Sequence, residues 1–137
     1  MIGILVVTHG DLGKELINSM RLIAGMGEKC EAMSLNIGDD IMSLKEAVSE
    51  KIRELDDGGG VLVLTDILGG SPFNVSVSNL NQKNVEMITG VNLPMLIQAC
   101  NMRDAYSLQE LVTSVTECGY KSIQNIREKL KIQEGAI

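Results

Sequence analysis

The sequence predicts an α/β fold with an open, doubly wound, mostly parallel sheet and helices on both of its faces. Short runs of β-branched residues alternate along the chain with stretches in which apolar residues recur at helical spacing. Two of those runs, residues 2–8 and 61–65, are almost wholly apolar, which is typical of strands buried on both faces. With right-handed crossovers, the expected strand order is 2-1-3-4, with a C-terminal strand added at an edge.

The first half of the chain contains two strand–helix units. The strand at residues 2–8 leads into a helix that ends at Gly25 and Gly27 and has its apolar positions at Leu12, Leu16, Met20 and Ile23. Residues 30–35 form a weaker strand candidate. Asp40 is placed to cap the next helix, whose apolar stripe is Ile41, Leu44, Val48, Ile52 and Leu55.

The third strand–helix unit follows a glycine turn. Three consecutive glycines at residues 58–60 end the second helix and release the chain into the strand at residues 61–65. Ser71 and Pro72 then begin a short helix, since proline fits a first helical turn. Residues 85–89 predict the fourth strand.

The last part of the chain predicts two helices and an edge strand. Asn92 opens a helix that extends to about residue 102. Ser107 and Glu110 form a capping box that begins another helix, with an apolar stripe at Leu108, Leu111, Val112 and Val115. Residues 120–126 are polar but alternate weakly, and they predict a final strand at the sheet edge.

Size and composition limit the class of protein. With 137 residues, of which 45% are hydrophobic and 22% charged, the chain has the make-up of a globular domain, and we expect residues 1–137 to form a single one. The formal net charge of −6 would repel a polyphosphate backbone, and only 2% of residues are aromatic, too few to stack on bases. These figures exclude nucleic acid as the expected partner.

The cysteines indicate a reducing compartment. Cys30, Cys100 and Cys118 form neither a CxxC pair nor a zinc-ligand spacing. We therefore expect free thiols, no metal, no cofactor and a cytoplasmic location. No stretch approaches the roughly 20 apolar residues that span a bilayer.

The residues most suited to catalysis lie where the first and third strands end. His9, the only histidine in the chain, ends the first strand and is followed by Gly10, which lets the backbone approach a ligand closely. Asp66 follows the third strand. Because those strands are neighbours at the topological switch point, we expect Asp66 beside His9. A carboxylate that accepts from the inner ring nitrogen would leave the outer nitrogen as a free nucleophile.

Gly69, Gly70 and Ser71 run from the third strand into a helix N-terminus. A glycine turn with free amides and a helix dipole makes a binding site for a phosphoryl group. Three interpretations compete for this set of residues. A serine hydrolase is disfavoured, because Pro72 has no N–H to offer an oxyanion hole and the chain has no GxSxG motif.

A receiver-like domain phosphorylated on Asp66 is the second interpretation. Such domains resemble one another in having an acidic pair after the first strand to bind Mg²⁺, where this chain has Thr8 and His9. A phosphohistidine carrier is the third. It needs an imidazole that is neutral near pH 7, an orienting carboxylate and a nest for phosphoryl oxygens, and the sequence supplies all three.

Three motifs together resemble the enzyme IIA component of the mannose family of the sugar phosphotransferase system. The resemblance covers nearly the whole chain in the right order and spacing. It rests on Val7-Thr8-His9-Gly10, on Thr65-Asp66 with Gly69-Gly70-Ser71-Pro72-Phe73-Asn74, and on Gly90-Val91-Asn92-Leu93-Pro94-Met95-Leu96.

The resemblance implies roles for these residues. His9 would be the phosphorylated histidine and Asp66 its carboxylate partner. The phosphate-binding loop would contain Ser71, with Gly10, Gly69 and Gly70 beside it. Residues expected in a nearby site or partner loop are Thr8, Leu68, Asn92, Leu93 and Pro94. Many members have an aromatic residue where this chain has Leu68, so its partner surface is expected to differ in detail.

The resemblance also implies partners. The phosphocarrier protein HPr would phosphorylate His9, which would pass the group to a histidine of enzyme IIB, and the sugar would enter through a membrane IIC/IID pair. Because the chain ends at Ile137, we expect enzyme IIB to be a separate polypeptide. Members form homodimers by exchanging a C-terminal strand, which residues 120–126 would supply. The alternative is a regulatory module in which the same phosphorylation signals sugar flux.

Overall fold

The fold is described by a computed structural model that covers residues 1–25 and 27–133. Within those ranges, four strands form one parallel sheet in the order β2-β1-β3-β4. Their bounds are β1 (Gly3–His9), β2 (Cys30–Leu35), β3 (Val61–Thr65) and β4 (Val85–Ile88). The predicted α/β class and the order 2-1-3-4 are confirmed.

Helices cover both faces of this sheet. One face carries α1 (Leu12–Ala24), α4 (Leu93–Met102) and α5 (Leu108–Ser122), and the other carries α2 (Ile41–Leu55) and α3 (Ser71–Ser76). A 3-10 helix (Val77–Asn81) continues α3, and α6 (Ile126–Gln133) follows α5. The two-sided cover is what the term doubly wound requires.

The central strand β1 shows why its sequence is apolar without interruption. Ile4 and Val6 point into the core under α1 and α4, whereas Leu5 and Val7 point into the core under α2 and α3. All four side chains are fully buried. Burial of such a side chain stabilises the folded chain by about 1.5–3 kcal/mol relative to exposure, so the strand is fixed from both sides.

Two of the three predicted helix caps, those at Asn92 and Ser107, are confirmed, and the side-chain cap at Asp40 is wrong. Asn92 Oδ1 accepts from Met95 N (3.0 Å), which caps α4. In α5, Ser107 Oγ accepts from Glu110 N (3.3 Å) while Glu110 Oε1 accepts from Ser107 N (3.4 Å), the reciprocal pair of a capping box. Asp40 occupies the cap position of α2, but its carboxylate accepts from Ser43 Oγ (2.6 Å) rather than from a helix amide.

The predicted C-terminal edge strand at residues 120–126 is wrong. Residues 120–122 complete α5, residues 123–125 form a link, and Ile126 begins α6. Gly119, directly before the predicted strand, lies buried inside α5. A Cβ at Gly119 would lie 2.9 Å from Met95 Sδ, so this glycine lets α5 pack closely against α4. The helix therefore continues through the glycine.

Candidate functional site

The candidate site lies at the carboxyl edge of the sheet, where β1 and β3 end side by side. His9 is the last residue of β1, and Asp66 directly follows β3. The parallel register pairs Val7 with Thr65, so both chain segments leave the sheet at the same level. The structure thus brings together the histidine and the carboxylate that the sequence predicts as neighbours.

Asp66 contacts His9 through one carboxylate oxygen. Asp66 Oδ2 lies 2.8 Å from His9 Nδ1 and also accepts from the His9 backbone N–H at 2.9 Å. A carboxylate can only accept, so the hydrogen sits on Nδ1 and the lone pair on Nε2. The His9 side chain is 53% exposed and that of Asp66 only 12%. The imidazole ring that carries the free Nε2 is therefore accessible from solvent.

The charge of Asp66 is set by the same contacts. Burial by itself raises the pKa of Asp66, but the hydrogen bonds from the backbone and ring of His9, together with its charge, outweigh burial and hold that pKa below its usual value. Asp66 Oδ1 also accepts from Ile67 N (3.0 Å). The carboxyl group is therefore ionised at neutral pH and acts as an acceptor.

A glycine turn passes directly against the imidazole. Gly70 caps α3 in an extended conformation, and a Cβ there would lie 2.9 Å from His9 Cε1 and 3.5 Å from Nε2. Gly69 has a φ of +79°, a left-handed conformation that favours glycine. Only a residue without a side chain lets the backbone of this turn approach Nε2 so closely.

The helix α3 begins directly after this turn, with Gly70 at its N-cap position. Asn74 N is the donor that closes the first helical turn, to Gly70 O at 2.9 Å. The amides of Ser71 and Phe73 precede it and have no partner within the helix, and Pro72 has no N–H. The Ser71 side chain lines the same cleft as His9. Amides at a helix N-terminus favour a bound anion, and this one begins directly after the glycine that passes the His9 ring.

A cleft of about 490 Å³ opens beside the ring, lined by His9, Gly10 and Ser71 on one side and by residues of the β2–α2 loop and α2 on the other. Ile37 and Ile41 belong to that second wall. Neither residue was predicted as part of the site: Ile41 fits the apolar stripe of α2, and Ile37 was not singled out. The available signal was an isoleucine at position 37 within an otherwise polar turn.

Thr8 lies on the opposite face of β1 from the cleft. Its hydroxyl oxygen accepts from Gly13 N (2.8 Å) and donates to Gly10 O (3.4 Å), and the residue is fully buried. Thr8 thus shapes the turn between β1 and α1 and does not face the ring of His9. The structure separates it from the other predicted site residues.

The loop before α4 holds the remaining predicted residues. Asn92 uses its oxygen to cap α4 and its Nδ2 to donate to Ser122 Oγ (3.0 Å), and Pro94 O accepts from Cys118 Sγ (3.6 Å). Leu93 packs against the core. Leu68, in contrast, is 70% exposed. Asn92 and Pro94 therefore stabilise the fold around α4, whereas Leu68 lies at the surface.

In the part of the chain that the structure describes, no three side chains of histidine, cysteine, aspartate or glutamate converge as a metal site requires.

The comparison with known families identifies the class. A family model described as EIIA-man, "PTS system fructose IIA component", matches residues 3–116. The chain therefore belongs to the mannose-type enzyme IIA family of the sugar phosphotransferase system, whose members are phosphotransferases that carry phosphoryl groups.

Individual relatives agree with this family. The chain is 29% identical over 132 residues to the "PTS system fructose-specific EIIA component" of Bacillus subtilis, covering 96% of this chain and 90% of that one. It is 32% identical to the "PTS system mannose-specific EIIAB component" of Escherichia coli over 93% of its length, which is 40% of that longer protein. The crystal structure of an EIIA component from Streptococcus agalactiae matches with a TM-score of 0.84 and 30% identity, covering 93% of this chain and 99% of that one.

Proposed function

We propose that the protein is a phosphohistidine carrier that receives a phosphoryl group from the phosphocarrier protein HPr on Nε2 of His9 and passes it to enzyme IIB. The observation that carries this proposal is the His9–Asp66 pair, with Nδ1 engaged at 2.8 Å and Nε2 left open. Enzyme IIB then phosphorylates a sugar that enters through the membrane IIC/IID pair.

The phosphoryl transfer needs no reactant other than the donor and His9. The Nε2 lone pair of His9 attacks phosphorus, and the bond from phosphorus to the donor's nitrogen breaks, with its electron pair returning to the donor. The ring of His9, still protonated at Nδ1, becomes positively charged, and the ionised Asp66 at 2.8 Å stabilises that charge. In the second transfer, a histidine of enzyme IIB attacks phosphorus, the Nε2–P bond breaks, and its electron pair returns to Nε2 of His9.

The phosphoryl oxygens would be held by backbone donors and a hydroxyl. Gly10, Gly69, Gly70 and Ser71 are the residues we assign to this role. Support comes from the close passage of Gly70 along the ring and from the start of α3 directly after it, because the first amides of a helix have no partner within the helix. The metaphosphate-like transition state carries negative charge on three oxygens, which such preorganised donors stabilise.

The chemistry of the linkage tests the proposal. The protein is labelled with phosphorylated HPr that carries radioactive phosphate, and the label is then exposed to acid, base and hydroxylamine. A phosphoramidate on His9 is lost in acid and survives base. Because His9 is the only histidine, His9→Ala should take up no label. A label that resists acid and is cleaved by hydroxylamine would be an acyl phosphate on Asp66 and would contradict the proposal.

The cellular setting is part of the same proposal. The described residues contain no helix that is both long and apolar enough to cross a bilayer. We place the protein in the cytoplasm, connected to the membrane through enzyme IIB, and we propose that it works as a homodimer. The exchanged strand is not part of this proposal, since residues 120–122 belong to α5 and Ile126 begins α6.

A further inference from the structure

Two of the three cysteines meet at the end of the sheet opposite His9. Cys30 begins β2 and is buried in the core under α1 and α4, and Cys100 lies in α4 and packs against the same core. The two thiols are hydrogen-bonded to each other. Cys30 pairs with Ile4 at the start of β1, whereas His9 ends that strand, so this thiol pair is separate from the candidate site.

Two arginine side chains lie around the thiol pair. Arg103 follows Cys100 by three positions at the end of α4, is buried, and donates from Nη1 to Ile2 O (3.3 Å). Among the described residues, no carboxylate forms an ion pair with Arg103. Arg21, in the last turn of α1, lines an open cleft together with Cys30. Positive charge close to a thiol favours its thiolate form, which is the reactive one.

The two thiols differ in their environment. The hydrogen bond with Cys100, together with burial, raises the pKa of Cys30, which therefore keeps its hydrogen and donates it. The hydrogen bond from Cys30 and the charge of Arg103 outweigh burial and lower the pKa of Cys100. Cys100 is also partly exposed, whereas Cys30 is only 3% exposed. Cys100 thus has the properties of an attacking thiolate, and Cys30 those of a resolving thiol beside it.

We propose that Cys100 and Cys30 form a redox-active pair that a hydroperoxide oxidises to an intramolecular disulfide. The Cys100 thiolate attacks one oxygen of the hydroperoxide, the O–O bond breaks, and the leaving oxygen takes up the proton that Cys100 had released. The Cys30 sulfur then attacks the sulfur of the resulting sulfenic acid, the S–O bond breaks, and the hydroxide leaves as water with the Cys30 hydrogen. Two thiols and one hydroperoxide give one disulfide, one alcohol and one water, where hydrogen peroxide gives a second water in place of the alcohol.

The disulfide would join the start of β2 to α4 and close a loop over residues 30–100. Such a cross-link restricts the unfolded chain, so oxidation should raise the thermal unfolding midpoint by on the order of 10 °C. A dithiol restores the reduced pair, as expected of a disulfide that forms transiently in a reducing compartment. Because the pair lies at the opposite end of the sheet, the contact between His9 and Asp66 should persist in the oxidised protein.

The test treats the reduced full-length chain with hydrogen peroxide and maps the thiols by alkylation and mass spectrometry without reductant. We expect a disulfide between the peptides that carry Cys30 and Cys100, reversed by dithiothreitol, while Cys118 stays alkylatable. Cys118 is the matched control, since it is also partly exposed but donates to Pro94 O (3.6 Å) instead of to a thiol. Cys100 should react with peroxide at least about ten-fold faster than Cys118.

Three serine variants separate the roles of the thiols. Cys30→Ser removes the resolving thiol, so Cys100 should stop at the sulfenic acid, which dimedone traps. Cys100→Ser removes the attacking thiol and should leave Cys30 reduced under the same treatment. Cys118→Ser should form the disulfide at the wild-type rate. Thermal unfolding of each reduced variant checks its fold, and the mapping on the wild-type chain needs no variant.

Three results would overturn the proposal. Peroxide that oxidises Cys118 while Cys30 and Cys100 remain alkylatable would show that their contact carries no redox chemistry. Disulfides formed only between chains would show oxidation of separate exposed thiols. Dimedone trapped on Cys30 of Cys100→Ser at the rate seen for Cys100 would show that the arginines do not select the attacking thiol. None of these readouts depends on phosphoryl transfer, so the outcome is independent of the function proposed for His9.

Discussion

At the scale of single residues, one oxygen of Asp66 holds both the ring and the backbone of His9, at 2.8 and 2.9 Å. The double contact fixes the orientation of the ring as well as its tautomer. In the transfer proposed above, the negative charge of Asp66 would also stabilise the positive charge on the ring. The shape and the charge of Asp66 can be separated experimentally, because asparagine has nearly the same shape but no charge.

Asp66→Asn should slow the phosphorylation of His9 by HPr by about 10- to 100-fold, the usual loss when the partner of a functional histidine is altered. An amide can present its NH₂ to the ring, which favours the tautomer with the wrong nitrogen free, and it cannot stabilise the charged ring. Rapid-quench measurement of labelled phosphate gives the rate. An unchanged thermal unfolding midpoint controls for the fold, and wild-type rates in both half-reactions would reduce Asp66 to a turn residue.

At the scale of elements, the turn at residues 58–60 connects α2 to β3 and also supports β1. Asp56 Oδ1 accepts from Gly58 N (2.9 Å) and Gly60 N (3.0 Å), and Gly3 N donates to Gly60 O (3.0 Å). Both glycines have positive φ, +115° and +88°. They differ in their surroundings: a Cβ at Gly58 would meet nothing within 4 Å, whereas one at Gly60 would lie 2.7 Å from the Asn84 carbonyl oxygen.

This difference predicts that alanine destabilises the folded chain less at Gly58 than at Gly60. Gly58→Ala should lower the free energy of unfolding by about 1–3 kcal/mol through backbone strain alone. Gly60→Ala should lower it by at least about 1 kcal/mol more, because its Cβ also overlaps a backbone atom that cannot rotate away. Urea unfolding of the two variants side by side gives the comparison. Equal losses would mean that strain, and not the contact with Asn84, decides the cost.

At the scale of the whole molecule, an ion pair joins the start of the chain to the turn after α2. Asp57 contacts Lys29 Nζ at 2.7 Å and the Met1 ammonium at 3.1 Å. The hydrogen bond from Lys29, followed by that from the Met1 ammonium, lowers the pKa of Asp57 from 3.8 to about 2. The folded chain therefore holds this carboxylate ionised at a pH where the unfolded chain would protonate it.

The sign of the resulting pH dependence follows directly. A pKa lowered in the folded state contributes stability that is complete above the unfolded pKa of 3.8 and is lost as the pH falls through about 2. Wild type should exceed Asp57→Asn in free energy of unfolding above pH 4, and the difference should shrink between pH 4 and 2. Denaturant unfolding across that range measures it. A difference that grows toward acid would contradict the assignment.

The proposed homodimer is also a property of the whole molecule. Apolar side chains are exposed at the end of α5 and along α6, namely Tyr120, Ile123, Ile126 and Leu130. Such a group of exposed apolar residues is typical of an interaction site. Native mass spectrometry at micromolar concentration should give twice 14.8 kDa for the wild type. The double variant Ile123→Ser, Ile126→Ser should weaken the dimer while Leu22→Ser should not, and a wild-type mass of 14.8 kDa would contradict the proposal.

The sequence by itself determined the α/β class, the strand order and the meeting of His9 with Asp66. These follow from rules that act over short stretches or on every chain: apolar periodicity marks the elements, and the right-handed crossover orders the strands. Once β1 and β3 are parallel neighbours, their carboxyl ends must share an edge. The capping residues Asn92 and Ser107 were equally readable, because a cap depends on residues three positions apart.

Only the tertiary structure decided the positions of residues whose sequence pattern fits either of two environments, such as the core or the surface. Gly119 weakens a helix in isolation by about 1 kcal/mol relative to alanine, but here it allows close packing against Met95 and α5 continues to Ser122. Ile41 fits a core stripe, yet it is 48% exposed and lines the cleft beside His9. Local sequence sets what a residue can do, but burial depends on which distant segment lies against it, and that is settled only when the whole chain packs.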